Sequence, residues 1–231
     1  MIEKSSTPEQ ALSGLRDGSI VMIGGFGAAG TPFTLIQALH DLGVRHLTLV
    51  KNDANELDMG ISILLQAGQA DRFIVSHMGL NATVIEMMNR GKLEVEMYPQ
   101  GILAEKIRAG GAGLPGFLTD IGMETILRNQ KETVRFQGQE YIVEPSIRAD
   151  LALVHAARAD CYGNLIFEKT ARNFNPLMAT AADRVVAEAH EITDTGSLDP
   201  DHVHTPGAFV DHVIYVDRDS ETYGVLPNHV L

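Results

Sequence analysis

Between Ser19 and Arg108 the hydrophobic pattern switches repeatedly between two periods, and no other feature restricts the fold as strongly. The runs Ser19–Ile23, His46–Val50, Arg72–Val75 and Leu93–Met97 are short, β-branched and apolar, and read as strands. Each is followed by apolar residues at helical spacing. The first such segment starts at Thr31-Pro32, carries Phe33, Leu35, Ile36 and Leu39 on one face, and stops at Gly43; Ile61–Ala67, Ala82–Asn89 and Gly101–Arg108 follow. Strands this apolar need cover on both sides, so the alternation predicts an α/β fold: an open, mostly parallel sheet with helices on both faces. Upstream, Thr7-Pro8-Glu9-Gln10 has capping-box spacing with proline at the first helical position, and Asp17-Gly18 is expected to end that helix in a turn. Beyond the glycine-rich stretch Gly110–Gly113 the pattern changes. Thr133–Phe136 and Glu140–Val143, joined around Gly138, predict a β-hairpin region; Leu151–Val154, Leu165–Phe167, Val185–Ala187 and Val213–Val216 predict further strands. With no internal repeat or linker-like shift in composition, residues 1–231 read as a single domain.

Charge narrows the partners. Eighteen Lys+Arg against 30 Asp+Glu give a formal net charge of −12, a field that repels nucleic acid and anionic membrane surfaces alike. No apolar run approaches the roughly 18–20 residues needed to span a bilayer. The opening MIEKSSTPEQALSG lacks an apolar signal core, so a cytoplasmic location is expected. Cys161 is the only cysteine, which excludes an internal disulfide and a multi-cysteine zinc site.

The segment after the first strand carries the strongest chemical signal. Gly25-Phe26-Gly27-Ala28-Ala29-Gly30 satisfies G-x-G-x-x-G, a pattern that lets backbone approach a phosphate or thioester at a helix N-terminus. As a dinucleotide fingerprint it wants an acid at the end of the second strand. Here that strand ends Leu49-Val50-Lys51-Asn52, with Asp53 late and a lysine before it. An NAD-dependent oxidoreductase therefore stays as an alternative, together with a tight turn that binds nothing.

Longer motifs point elsewhere. The run Asp17-Gly18-Ser19-Ile20-Val21-Met22-Ile23-Gly24-Gly25-Phe26, followed by Gly30-Thr31-Pro32, resembles the first signature of the family I coenzyme A transferases. Pro99-Gln100-Gly101 through Arg108-Ala109-Gly110-Gly111-Ala112-Gly113, then Arg148-Ala149-Asp150, Gly163-Asn164-Leu165, Ala171-Arg172-Asn173-Phe174-Asn175-Pro176 and His204-Thr205-Pro206-Gly207, continue the resemblance in the family's order. It covers nearly the whole chain and implies the alpha subunit of a two-subunit enzyme, assembled as an α2β2-type hetero-oligomer. The resemblance implies coenzyme A as a substrate, with no permanently bound cofactor, and acyl-CoA and carboxylic acids as reaction partners. It also implies that the beta subunit carries a glutamate nucleophile within a Ser-Glu-Asn-Gly motif, and that tetrapeptide does not occur in these 231 residues.

On that resemblance, Gly24, Gly25, Phe26, Gly27, Ala28, Ala29 and Gly30 are expected to face CoA or the thioester, with Phe26 as a wedge at the mouth. Asn52 closes the second strand and Gln100 closes the strand beginning at Leu93, so both amides should reach the carboxyl edge of the sheet as donors to an oxyanion or carboxylate. A non-catalytic CoA-binding module remains a further alternative. Ser76-His77-Met78-Gly79-Leu80-Asn81 and Thr205–His212 look closer to acetate/acetoacetate enzymes, whereas Ala11-Leu12-Ser13-Gly14 and Gly24–Gly30 look as close to 3-oxoadipate enzymes. A dicarboxylate acceptor would want extra cations.

Other clusters have plainer readings. Gly110–Gly113 is either a close approach to substrate or a flexible loop. Arg172, Asn173 and Asn175 form either a substrate-facing or subunit-contacting wall, or N-capping by Asn175 with a structural ion pair. Ser76 and His77, neighbours at a strand end, should point to opposite faces and so cannot pair as nucleophile and base. His202 and His204 lack a third ligand for a metal, and Cys161 lacks a base. The run Asp194–Asp201 reads as a solvated loop.

Overall fold

The computed structural model describes residues 3–217, so the expected single domain over 1–231 extends past the described residues at both ends. Helix α1 (Pro8–Leu12) starts as expected: the Thr7 side chain accepts from the Gln10 N–H while the Gln10 side chain accepts from the Thr7 N–H. It stops at Leu12, earlier than the expected Asp17-Gly18 turn, because Gly14 reverses the backbone at φ +78°.

The alternation then runs β1 (Ile20–Ile23), α2 (Phe33–Leu42), β2 (Leu47–Val50), α3 (Ile61–Gln66), β3 (Ala70–Val75), α4 (Ala82–Asn89), β4 (Glu94–Met97) and α5 (Gln100–Gly111). After β5 (Gly116–Thr119), β6 (Thr133–Phe136) and β7 (Gln139–Pro145) come β8 (Ala149–Asp160), β9 (Leu165–Ile166), α6 (Asn175–Thr180), β10 (Ala182–Thr193) and β11 (His212–Tyr215). The main sheet has the order β11-β10-β8-β1-β2-β3-β4, every neighbouring pair parallel, with β9 added antiparallel to β8.

Strand geometry divides the core into two layers. Val21 and Ile23 join Leu35, Ile36, Leu39, Leu64, Leu65 and Val84 on the α2–α4 side. Met22 points the other way, with Leu103, Ile107 and Met178 beneath α5 and α6. Helices therefore cover both faces, as the apolar strands require. Helix α2 has no side-chain cap of its own, because Pro32 occupies that position. Its Leu35 N–H instead donates to Oε2 of Glu188, a fully buried carboxylate on β10 2.9 Å away. The negative charge lies at the positive end of the helix, where it compensates for its own burial.

Several expectations need correction. Strands β8 and β10 each span twelve residues, far beyond Leu151–Val154 and Val185–Ala187. Polar residues such as His155, Arg158, Glu188 and His190 interrupt the apolar run, yet ladder pairing continues through them. Gly110 and Gly111 belong to α5 and form neither a loop nor a substrate approach. A β-carbon on Gly110 would lie 2.1 Å from Ile147 O, and one on Gly111 2.2 Å from Thr180 Oγ1, so these glycines let α5 pack against its neighbours. Gln100 does not close a strand; β4 ends at Met97 and Gln100 begins α5.

The expected hairpin is β6–β7, turning at Gln137 (φ +49°) and Gly138 (φ +86°), as a two-residue turn with positive φ at both positions demands. It belongs to a separate antiparallel sheet ordered β5-β7-β6. A buried ion pair ties that sheet to α5: Lys106 Nζ lies 2.9 Å from Glu144 Oε2, both side chains 2% exposed, and 4.4 Å from the Tyr98 ring centre. Burial pushes the Lys106 ammonium below its ordinary range, and Glu144 opposes that shift. Glu144→Ala should cost about 3–5 kcal/mol by leaving a buried charge unpaired, read as a lower urea midpoint. A loss below about 1 kcal/mol would show that the pair does not hold the small sheet in place.

Candidate active site

All strands of a parallel sheet end on the same edge, and here the loops beyond β1, β2 and β3 converge with the start of α5 around a cavity of about 460 Å³. Phe26, Gly27 and Ala28 come from the first loop and Asn52, Asp53, Ala54, Asn55, Glu56 and Met59 from the second. Ser76, His77, Met78 and Leu80 come from the third, and Gln100 completes the wall.

Asp53 joins the first two loops. Its Oδ1 accepts from Lys51 Nζ at 3.3 Å and Asn55 N at 3.0 Å; its Oδ2 accepts from Gly27 N at 2.8 Å and Asn52 Nδ2 at 3.0 Å. Four donors saturate the carboxylate. Burial pushes the carboxyl up, but the Lys51 charge and these hydrogen bonds outweigh it and hold Asp53 below the ordinary carboxylate range. Lys51 is fully buried, and burial depresses its ammonium against the pull of Asp53. Asn55 tightens the same joint, donating from Nδ2 to Gly27 O at 2.8 Å and accepting from Ile61 N. With its lone pairs engaged, Asp53 is unavailable to ribose hydroxyls, which removes the feature that the NAD reading requires.

Asn52 and Gln100 do come together, though with different exposure. Asn52 is 1% exposed and Gln100 is open to solvent. Gln100 Nε2 donates to Asn52 Oδ1 at 2.8 Å, and Ser76 Oγ donates to the same oxygen at 2.8 Å. Asn52 Nδ2 is turned toward Asp53. Asn52 thus anchors Gln100, whose carbonyl and second amide hydrogen remain free to meet a ligand.

The seven loop residues divide into wall and support. Phe26, Gly27 and Ala28 line the cavity, Phe26 half-exposed at its rim. Gly24, Gly25 and Gly30 lie behind them in tight packing: an added β-carbon would come within 1.9 Å of Asn175 Oδ1, 2.2 Å of Thr31 Oγ1 and 2.4 Å of Ala171 O, respectively. Gly27 has open space around it. The N–H groups of Phe26, Gly27 and Thr31 are committed to Ala29 O, Asp53 Oδ2 and Ala28 O, so the loop has fewer free donors than its glycine content suggests. Asn175 does not cap α6. Fully buried, it accepts from His155 N at 3.0 Å and donates to Gly30 O at 3.0 Å and Ala171 O at 2.8 Å, bracing the loop from behind. Asn173 adds a bond to Ala29 O, while Arg172 ends the preceding 3-10 turn away from the cavity.

Ser76 and His77 both line the cavity, because β3 has ended at Val75 and strict alternation no longer applies. Ser76 Oγ is engaged by Asn52 and makes no bond to His77. His202 pairs with Asp199, whereas His204 Nδ1 accepts from Phe167 N, and burial followed by Arg172 and His202 holds its pKa below the ordinary value. Cys161 Sγ lies 3.0 Å from Thr195 Oγ1. Sequence reasoning missed Asp53 as a joint and Ser76 as a support. The spacing Lys51-x-Asp53 was the available signal, since residues two apart share a face in extended chain.

Comparison with known proteins follows the same lines. Residues 5–215 match the family model described as Coenzyme A transferase. The chain is 46% identical over 221 residues to the alpha subunit of the acetate CoA-transferase of Escherichia coli (strain K12), covering 96% of this chain and 100% of the relative. It is 45% identical over 205 residues to the corresponding subunit of a succinyl-CoA:3-ketoacid coenzyme A transferase from Helicobacter pylori (strain J99), covering 89% and 88%. Among solved structures it resembles an acyl-CoA transferase from E. coli O157:H7 in a thioester complex with CoA, with a TM-score of 0.84 and 25% identity. That match covers 93% of this chain and 47% of the longer one, so this chain spans about half of it.

Asp53→Asn should destabilise the chain by about 3 kcal/mol at pH 7, since Lys51 would be left buried without its counter-charge. Because the folded carboxyl sits below the ordinary 3.8, its contribution is complete above about pH 4 and disappears as pH falls through the lower folded value. Urea unfolding of both forms at pH 7 and pH 3 measures this, and equal midpoints at pH 7 would refute the joint. Gly30→Ala should cost several times more than Gly27→Ala, which carries only the roughly 1 kcal/mol penalty of a left-handed alanine.

Proposed function

The chain belongs to the coenzyme A transferase family, as an alpha subunit of its two-subunit type, and from that premise we propose that the carboxyl-edge cavity is the acyl end of an active site completed by a beta subunit. The observation carrying this reading is the neutral polar cluster of Gln100, Asn52 and Ser76 on a wall whose buried carboxylate, Asp53, is already saturated. Such a wall can stabilise charge, and among the described residues it offers no buried nucleophile.

Exchange then needs a carboxylate from outside this wall. A beta-subunit glutamate attacks the acyl-CoA thioester carbonyl; the C–S bond breaks, giving a mixed anhydride and CoA thiolate. The thiolate attacks the glutamyl carbonyl and releases the donor acid, leaving a glutamyl–CoA thioester. An acceptor acid runs the same steps in reverse. Each addition places negative charge on a carbonyl oxygen, and the free Gln100 N–H is the donor this chain offers there. Asn52 acts through Gln100 as a positioning residue. Phe26, Gly27 and Ala28 shape the thioester entrance, while Gly24, Gly25, Ala29 and Gly30 hold that segment in place.

Exposed apolar residues support a partner on this edge. Phe26 follows β1, Leu57 follows β2, Leu80 follows β3 and Met97 ends β4; their exposures are 51%, 55%, 74% and 48%. Four successive adjacent strands thus present large apolar side chains at one rim, a pattern that marks a protein interface.

Mixing this chain with a beta subunit carrying Ser-Glu-Asn-Gly should produce exchange that neither chain gives alone; turnover by this chain alone would refute the shared site. Gln100→Ala should lower kcat about ten- to a thousand-fold in the assembled enzyme. Leu57→Lys, outside the cavity wall, should weaken the pairing of the two chains by about tenfold or more in analytical ultracentrifugation.

A further inference from the structure

Relatives named for acetate and for succinyl-CoA differ in whether the exchanged acid carries a second carboxylate, and the cavity bears on that difference. We propose that this subunit selects monocarboxylic acids with neutral tails and disfavours dicarboxylates, an inference that rests on reading the cavity as the acyl end of the site.

Beside the Gln100–Asn52–Ser76 cluster, Ala54, Met59, Met78 and Leu80 give the lining an apolar part. Among the described residues that line the cavity there is no lysine or arginine, and His77 alone can carry positive charge. Lys51 is the cation nearest in sequence, but it is fully buried and paired with Asp53, so it neutralises that carboxylate and cannot bind an acid. The lining residue with an unsaturated charge is Glu56, exposed where the second loop borders the cavity. A second carboxylate placed here would lose water, gain no fixed cation and meet Glu56 as a like charge. A methyl or short alkyl tail would instead cover Met59, Met78 and Leu80 and gain from leaving water.

Leu80 offers a direct test. It is 74% exposed in this chain, and its place on the wall puts the new guanidinium beside the acid's tail. Because Leu80 also lies on the apolar rim, assembly of the variant with the beta subunit is first verified by analytical ultracentrifugation. The enzyme reconstituted with its beta subunit is given butyryl-CoA, and the acyl-CoA formed from acetate, acetoacetate, succinate or 3-oxoadipate is measured chromatographically. The expected kcat/KM favours the two monocarboxylates by about tenfold or more. Leu80→Arg should shrink that ratio about tenfold by raising the dicarboxylate values, and Glu56→Gln should move it in the same direction by a smaller factor. A wild-type preference for succinate or 3-oxoadipate, or a ratio unmoved by Leu80→Arg, overturns the proposal while leaving the transferase reading intact. Failure to exchange with any of the four acids removes the reading of the cavity as the acyl end, and the proposal with it.

Discussion

A single buried carboxylate holds the site together. Asp53 reaches across from the loop after β2 to the Gly27 N–H in the loop after β1, and its negative charge is tolerated only because Lys51 lies beside it and amide donors fill its remaining lone pairs. Two loops that would otherwise vary independently become one surface. The same carboxylate orients Asn52, whose carbonyl then receives Gln100 and Ser76. Charge, loop geometry and the polar wall are therefore one connected arrangement.

The parallel sheet explains where that arrangement sits. Strands β1 to β4 are neighbours in space and in sequence, so their outgoing loops lie side by side on one edge. On the opposite flank of β1, strand β8 and helix α6 place Asn175 behind the glycine loop, and Glu188 of β10 satisfies the start of α2. The cavity lies in front of the loop and structural support behind it. The exposed apolar rim, and a wall on which the described residues place no buried, unsaturated carboxylate, both accord with the proposal that another chain completes this site.

Much of the fold was readable in one dimension. Strand and helix order through Arg108, the Thr7 cap, the Gly43 stop and the Gly138 hairpin all follow from period and turn chemistry, which are local. The misreadings have a common origin. Gly110 and Gly111 resemble a loop until Ile147 and Thr180 are found packed against them; Asn175 resembles a cap until its amide is found bonding Gly30 and His155. In each case a residue's role is set by a segment distant in the chain.

Local periodicity and residue order thus specified the alternating architecture, the family motifs and the glycine-rich turn, because side-chain spacing acts over a few residues. Folding alone decided that Asp53 would be a saturated joint, that Asn52 would lie buried behind an exposed Gln100, and that the cavity wall would carry Glu56 and, among the described residues, no lysine or arginine. Those properties depend on burial and on which donors arrive from other strands, and both arise only when the sheet brings separate loops to the same edge.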